Sequence, residues 1–179
     1  MAQLKKEIVI QNDYWTGSQC LKNGVPWLVP GAIHALDRLL RPDDVVLEIG
    51  TGGSTIFFAE RCRHVYAIET EEIWSSKVRE EISNRNLRNI DYMLRKTHED
   101  IEKTLGRPHL GKTKSFNDGT VIPSVISVDT ANGFNRSRLL DAAIIACHVS
   151  RIRLVILDNY SEKTLFPKQY NRPDEGIKL

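Results

Sequence analysis

Short β-branched runs recur along this chain at residues 45–49 (VVLEI), 65–69 (VYAIE), 90–94 (IDYML), 125–129 (VISVD) and 154–158 (LVILD), and stretches of helical periodicity separate them. That alternation restricts the fold more than any other feature. Helical segments are expected at 31–40, 54–61, 72–85, 99–105 and 138–149; in the last of these Leu139, Leu140, Ala143, Ile144 and Cys147 share a face. A strand, a helix and a further strand of the same sheet connect by a right-handed crossover. The pattern therefore predicts an α/β fold, a parallel sheet of about five strands with helices on both faces. Ligands of such sheets bind beyond the carboxyl ends of the strands. Three of the five runs end on an acid, Glu69, Asp129 and Asp158, and a fourth carries Glu48 one position before its end.

A length of 179 residues suits one compact domain spanning 1–179, since domains typically hold about 100 to 200 residues. Within it, 1–30 reads as a cover segment, 106–123 as a long Gly/Pro-rich loop and 160–179 as a short tail. The loop is either a mobile surface connection or a lid whose Arg107, His109, Lys112 and Lys114 close over an anionic substrate. Apolar residues make up 41% and charged residues 27%, which fits a packed core and excludes a disordered or collagen-like chain. Lysine and arginine number 25 against 23 acids, so charge demands neither nucleic acid nor an anionic membrane as partner. No run reaches the roughly 18 apolar residues of a membrane span, and Lys5, Lys6 and Glu7 interrupt any signal-peptide core, so a cytoplasmic location is expected. Cys20, Cys62 and Cys147 form no CxxC pair and are expected to be buried thiols.

The most specific segment is Leu47-Glu48-Ile49-Gly50-Thr51-Gly52-Gly53-Ser54-Thr55, in which a strand runs into a glycine turn that opens a helix. Gly50 and Gly52 allow a sharp turn and a close backbone approach to a ligand, and the helix that follows presents unpaired N–H groups. Glu69 ends the neighbouring strand, where a carboxylate can accept both hydroxyls of a ribose. The dinucleotide fingerprint G-x-G-x-x-G requires glycine where this chain has Thr55, and Glu48 adds negative charge where a pyrophosphate would lie. A ligand without phosphates suits the turn better.

The acid followed by G-x-G resembles the first motif of class I S-adenosylmethionine-dependent methyltransferases, with Ser54 in place of the third glycine. The likeness runs from about Val25 to Asn159 and implies a Rossmann-like doubly wound fold with its strands in the order 3-2-1-4-5. It also implies a cofactor set of Glu48, Gly50, Thr51, Gly52, Gly53, Ser54, Thr55, Glu69, Thr70, Glu99 and Asp129. In that set residues 50–54 wrap the methionine part, Glu69 holds the ribose, and Glu99, beside Thr97 and His98, borders the adenine. Members of this fold usually finish with an antiparallel strand pair, which this chain lacks room for, so its last strand would be a bare edge through which the protein could pair with a second copy.

Methyl transfer from a sulfonium is an in-line displacement, so the protein must mainly align and deprotonate an acceptor. Asp129 and Asp158 are the candidate catalytic residues. Together with Asn159 they resemble the magnesium set of catechol-type and caffeoyl-coenzyme-A-type O-methyltransferases. Asn132 stands where that pattern has its lysine base, and in metal-free members an Asp-Asn pair merely caps a turn. Asn132, Asn135, Arg136 and Arg138 either line an acceptor pocket or belong to a turn and the helix after it. His148 and His34 read as packed or surface histidines. Tyr14, Trp15 and Trp27 either cover the cofactor or acceptor from above or pack in the core or at its edge.

The expected activity is methyl transfer from S-adenosylmethionine to a small molecule, with oxygen favoured over nitrogen and no nucleic acid or membrane involved. The competing readings are an NAD-dependent oxidoreductase and a non-catalytic or truncated cofactor-binding module.

Overall fold

The computed structural model describes residues 16–106, 123–130, 136–146 and 151–157. Its elements are α1 (Gly17–Asn23), α2 (Pro30–Leu39), β1 (Val45–Ile49), α3 (Gly53–Ala59), β2 (His64–Glu69), α4 (Glu72–Asn84), β3 (Ile90–Leu94), α5 (His98–Gly106), β4 (Val125–Val128), α6 (Arg136–Ala146) and β5 (Leu154–Leu157). The five strands form one sheet, all-parallel as the alternation predicts and in the order β3-β2-β1-β4-β5 that the resemblance implies. The fold is a Rossmann-like doubly wound α/β sheet. No helix among the described residues is long and apolar enough to cross a membrane. The chain end expected to lack the antiparallel pair falls within 158–179, outside the described residues.

β1 lies at the centre and all five of its residues are buried, because helices cover both faces of a parallel sheet. Alternation divides its side chains between two cores. Val46 packs with Cys20, Val25, Ile33, Phe57 and Phe58 on the side of α1, α2 and α3. Val45, Leu47 and Ile49 pack with Ile101, Leu105, Leu139 and Ala143 on the side of α5 and α6. Glu48 has the parity of Val46 and therefore points to the α3 side.

Local chemistry sets most element ends. α1, which the sequence reading left inside the cover segment, begins with a capping box: Gln19 N–H donates to Thr16 Oγ1, and Thr16 N–H donates to Gln19 Oε1 at 2.8 Å. It ends at Gly24 with φ 66°. Pro30 opens α2 at a position where its missing N–H costs nothing. α5 starts one residue earlier than expected, because the Thr97 hydroxyl accepts Asp100 N–H at 3.0 Å. β4 ends at Val128, one residue before the expected end, although Asp129 N–H still donates to Ile49 C=O at 2.8 Å.

The amino ends of β1, β4 and β5 meet at a buried clamp. Asp44, 3% exposed, accepts the Arg153 guanidinium on both oxygens, the Ser124 hydroxyl at 2.7 Å and Arg41 N–H at 2.7 Å. Burial alone would raise the Asp44 carboxyl. The hydrogen bonds from Arg153, Ser124 and Arg41, with the arginine charge, outweigh it and hold the group below the usual carboxylate range.

Candidate functional site

At the opposite end of β1 the chain turns at Gly50, whose φ is +89° and whose N–H donates to Ile68 C=O at 2.8 Å. A Cβ at Gly50 would stand 1.6 Å from the Asp129 carbonyl oxygen. Glycine is thus required here both by backbone conformation and by the close passage of the β4 end. Gly53 has a different cause: its Cβ would meet Val25 C=O at 2.0 Å, so it serves the seating of α1 against α3. Gly52 is extended, and a Cβ there would have only ordinary contact with Trp74.

Beneath the turn lies Glu48, 0% exposed. Its Oε2 accepts the Thr55 hydroxyl at 2.7 Å, and Thr55 Oγ1 in turn accepts Gly52 N–H at 3.0 Å. Thr55, where a dinucleotide fold would have glycine, therefore ties the turn to the buried acid. Glu48 Oε1 has no partner within hydrogen-bond geometry, and the Ser54 hydroxyl lies near enough to the carboxyl to oppose the effect of its burial. Burial pushes the Glu48 carboxyl up to about 8, the Ser54 and Thr55 hydroxyls pull against that shift, and the charges of Glu69 and Asp129 add to it.

Glu69, at the end of β2 and 3% exposed, is held by its own chain. Oε1 accepts Thr70 N–H at 2.6 Å and Glu71 N–H at 2.8 Å; Oε2 accepts Thr51 N–H at 3.0 Å and the Thr51 hydroxyl at 2.5 Å. Thr51 also meets the Tyr92 hydroxyl at 2.9 Å, and its carbonyl accepts the Trp74 indole N–H at 2.7 Å. Burial raises the Tyr92 hydroxyl to about 12, with Thr51 and Ser75 opposing, so it is a neutral phenol at ordinary pH.

The structure brings Glu48, Gly50, Thr51, Gly52, Ser54, Thr55, Glu69, Thr70 and Asp129 to one end of the sheet. Asp129 is exposed there, its carbonyl against Gly50. Glu99 sits in the first turn of α5, exposed and paired with Lys103 at 2.6 Å. Arg138, weighed as a pocket residue, instead bonds Glu102 bidentately and joins α6 to α5. Trp27 is 65% exposed, which removes core packing for it and leaves edge packing or cover; the spot a Gly17 Cβ would fill lies 3.7 Å from both its ring and that of Trp74. His34 is exposed, as expected.

Asp158 and Asn159, the other expected metal ligands, lie outside the described residues, as do Tyr14, Trp15, Arg107, His109, Lys112, Lys114, Asn132, Asn135, Cys147 and His148. Arg136 opens α6, and its side chain is also outside them. Among the described residues no three potential ligands cluster as a metal site.

Sequence reasoning missed Trp74 and Tyr92. Tyr92 pairs in register with Ala67 and so has the parity of residues on the α3 side, which was a readable signal. Nothing in the sequence marked the indole of Trp74 as a partner for a carbonyl 23 positions away.

No protein-family model and no curated protein matches the chain. Among solved structures it is similar to the O-methyltransferase TomG from Streptomyces achromogenes, involved in tomaymycin synthesis and solved in complex with SAM. The identity is 20% and the TM-score 0.53, with 79% of this chain and 62% of that one covered. It is also similar to a methyltransferase-like protein from Silicibacter pomeroyi, at 18% identity and a TM-score of 0.52, with 78% of this chain and 75% of the other covered. Identity this low bears on the fold, and this chain spans less than two thirds of the length of TomG.

Proposed function

We propose that the glycine turn binds S-adenosylmethionine and that the chain transfers its methyl group to a small-molecule acceptor, at oxygen. The observation that carries the reading is Glu48, a fully buried acid under the turn with one oxygen unpartnered. An uncompensated buried carboxyl is costly, and it is relieved by a cation. A ligand carrying an ammonium and a sulfonium provides one. A dinucleotide would instead bring a diphosphate toward Glu48, Glu69 and Asp129, at a cost that grows as water is excluded.

The donor set fits such a cofactor: an acid beneath the turn for the positive end, a glycine turn with room beside Gly52, and Glu69 at the neighbouring strand end for the sugar. When bound, S-adenosylmethionine supplies an electrophilic methyl group. The chain's own part is to hold the nucleoside, exclude water from the Glu48 side and present Asp129 at the mouth. Asp129, Glu71 and Glu72 are all exposed there, which disfavours a polyanionic acceptor and supports a small one. Magnesium on Asp129, Asp158 and Asn159 is an accessory proposal; turnover that persists in excess chelator removes it.

Calorimetric titration tests the reading. S-adenosylmethionine and S-adenosylhomocysteine are expected to bind to the wild-type chain and NAD is not. Binding of NAD alone would overturn the proposal. Incubation with isotopically labelled methyl donor and a metabolite mixture, with an RNA arm for comparison, then identifies the acceptor class.

A further inference from the structure

An ionised carboxylate offers about four lone-pair positions, and at Glu69 the chain fills all four. Two backbone N–H groups, Thr70 and Glu71, occupy Oε1; Thr51 N–H and the Thr51 hydroxyl occupy Oε2. The Thr70 hydroxyl, at 3.4 Å from Oε1, adds only a long contact. The three amides cannot leave. Thr70 and Glu71 belong to the strand end leading into α4, whose first turn is secured by Ser75 N–H on Glu71 C=O at 2.8 Å. Thr51 N–H is fixed because Gly50 is bonded to β2 and the Thr51 carbonyl is held by Trp74. Only the Thr51 hydroxyl can vacate its place by a side-chain rotation.

The direction of the hydroxyl protons follows from the same contacts. Thr51 has one proton, and the 2.5 Å approach to a carboxylate assigns it to Glu69. Tyr92 must then donate to Thr51, and its oxygen accepts from buried Ser75. The result is a directed chain, Ser75 to Tyr92 to Thr51 to Glu69, in which each bond polarises the next.

We infer that Thr51 is a specificity-determining positioning residue that holds the place of a sugar hydroxyl on Glu69, so that a bound nucleoside engages Glu69 through one ribose hydroxyl rather than two. This rests on the reading that the turn binds a nucleoside-bearing cofactor, and it replaces the expectation that Glu69 accepts both hydroxyls. The incoming hydroxyl exchanges with that of Thr51, one O–H···O⁻ bond for another. The second ribose hydroxyl finds no vacant position on the carboxylate.

Calorimetry on the full chain with S-adenosylhomocysteine and its 2′-deoxy and 3′-deoxy analogues provides the test. In the wild type, both deoxy analogues are expected to bind within about threefold of the parent, because where the exchanging hydroxyl is missing Thr51 keeps its own bond to Glu69. In Thr51→Val that one position stands open without a competitor, so the parent tightens by a few fold and the analogue lacking the engaged hydroxyl falls about tenfold below it, the worth of one charge-assisted bond, while the other stays within about threefold. Thr51→Ser restores the wild-type pattern, and thermal melts followed by circular dichroism verify that both variants fold. A tenfold loss for either analogue in the wild type would overturn the inference even if Thr51→Val failed to fold, and so would equal losses for both analogues in Thr51→Val. Failure of the parent compound to bind would sink the proposed function instead.

Discussion

The two ends of β1 carry the same ingredient and put it to opposite use. Asp44, just before the strand, and Glu48, within it, are both acids withdrawn from water. Asp44 meets a guanidinium, a hydroxyl and a backbone amide, and is held below its usual range. Glu48 meets the Thr55 hydroxyl on one oxygen and no partner within hydrogen-bond geometry on the other, with the Ser54 hydroxyl nearby, and is pushed up to about 8. A buried charge with its partners in place ties strands together, whereas one without them stands ready for a ligand. The amino end of the sheet is thus satisfied from within, and the carboxyl end leaves Glu48 to be completed by the proposed cofactor.

The largest expected effect would come from breaking the satisfied end. Arg153→Ala leaves Asp44 buried without its counter-charge and should cost about 2 to 4 kcal/mol, somewhat below the figure for a fully enclosed pair because the arginine keeps partial access to water. Denaturant unfolding measures this, and the folded fraction should still bind S-adenosylhomocysteine normally. A loss of affinity as large as the loss of stability would dissolve the distinction between the ends.

Next is Glu69→Ala, which should weaken cofactor binding by about tenfold in calorimetry. Unchanged affinity would place the ribose elsewhere.

Glu48→Gln sharpens the comparison through its sign. Because the folded value lies above that of the unfolded chain, Glu48 contributes stability that is fully present below about pH 4.3 and is lost as pH rises toward about 8. The glutamine variant should therefore be the more stable at pH 8 while binding S-adenosylmethionine less well, a trade expected where function requires an unfavourable group. Binding to the wild type near pH 7 should release a proton, seen as a dependence of the measured heat on buffer ionisation, and the variant should release none. For Asp44 the sign reverses. Its contribution is present above about pH 3.9 and is lost as pH falls through its depressed value, so Asp44→Asn should flatten the acid limb of the stability curve.

The smallest effect is expected at Arg138, whose pair with Glu102 is exposed. Arg138→Ala should leave both the melting temperature and cofactor affinity unchanged, and a drop in affinity would return Arg138 to the acceptor pocket.

Much of this was legible in the residues. The β-branched runs marked the five strands to within a residue, because a short apolar segment with turn residues at its ends carries its own signal. The acid and glycines of residues 48–53 announced a turn above a strand end. Helix α1 was less visible: seven residues are too few for periodicity, and only the Thr16–Gln19 capping box marks it. The purposes of the individual glycines were not readable, since Gly50 yields to Asp129 and Gly53 to Val25, both remote in sequence.

The chain's local chemistry, then, determined by itself the alternation of strands and helices and the glycine turn after β1, because strand, helix and turn preferences act over a few neighbouring residues. Only the tertiary structure decided which acid is neutralised, by joining Asp44 to Arg153 across 109 positions, and which is kept in reserve, by leaving Glu48 half-satisfied and closing Thr51 over Glu69. Those pairings depend on the register of neighbouring strands and the seating of helices upon them, and register follows from packing the whole core at once.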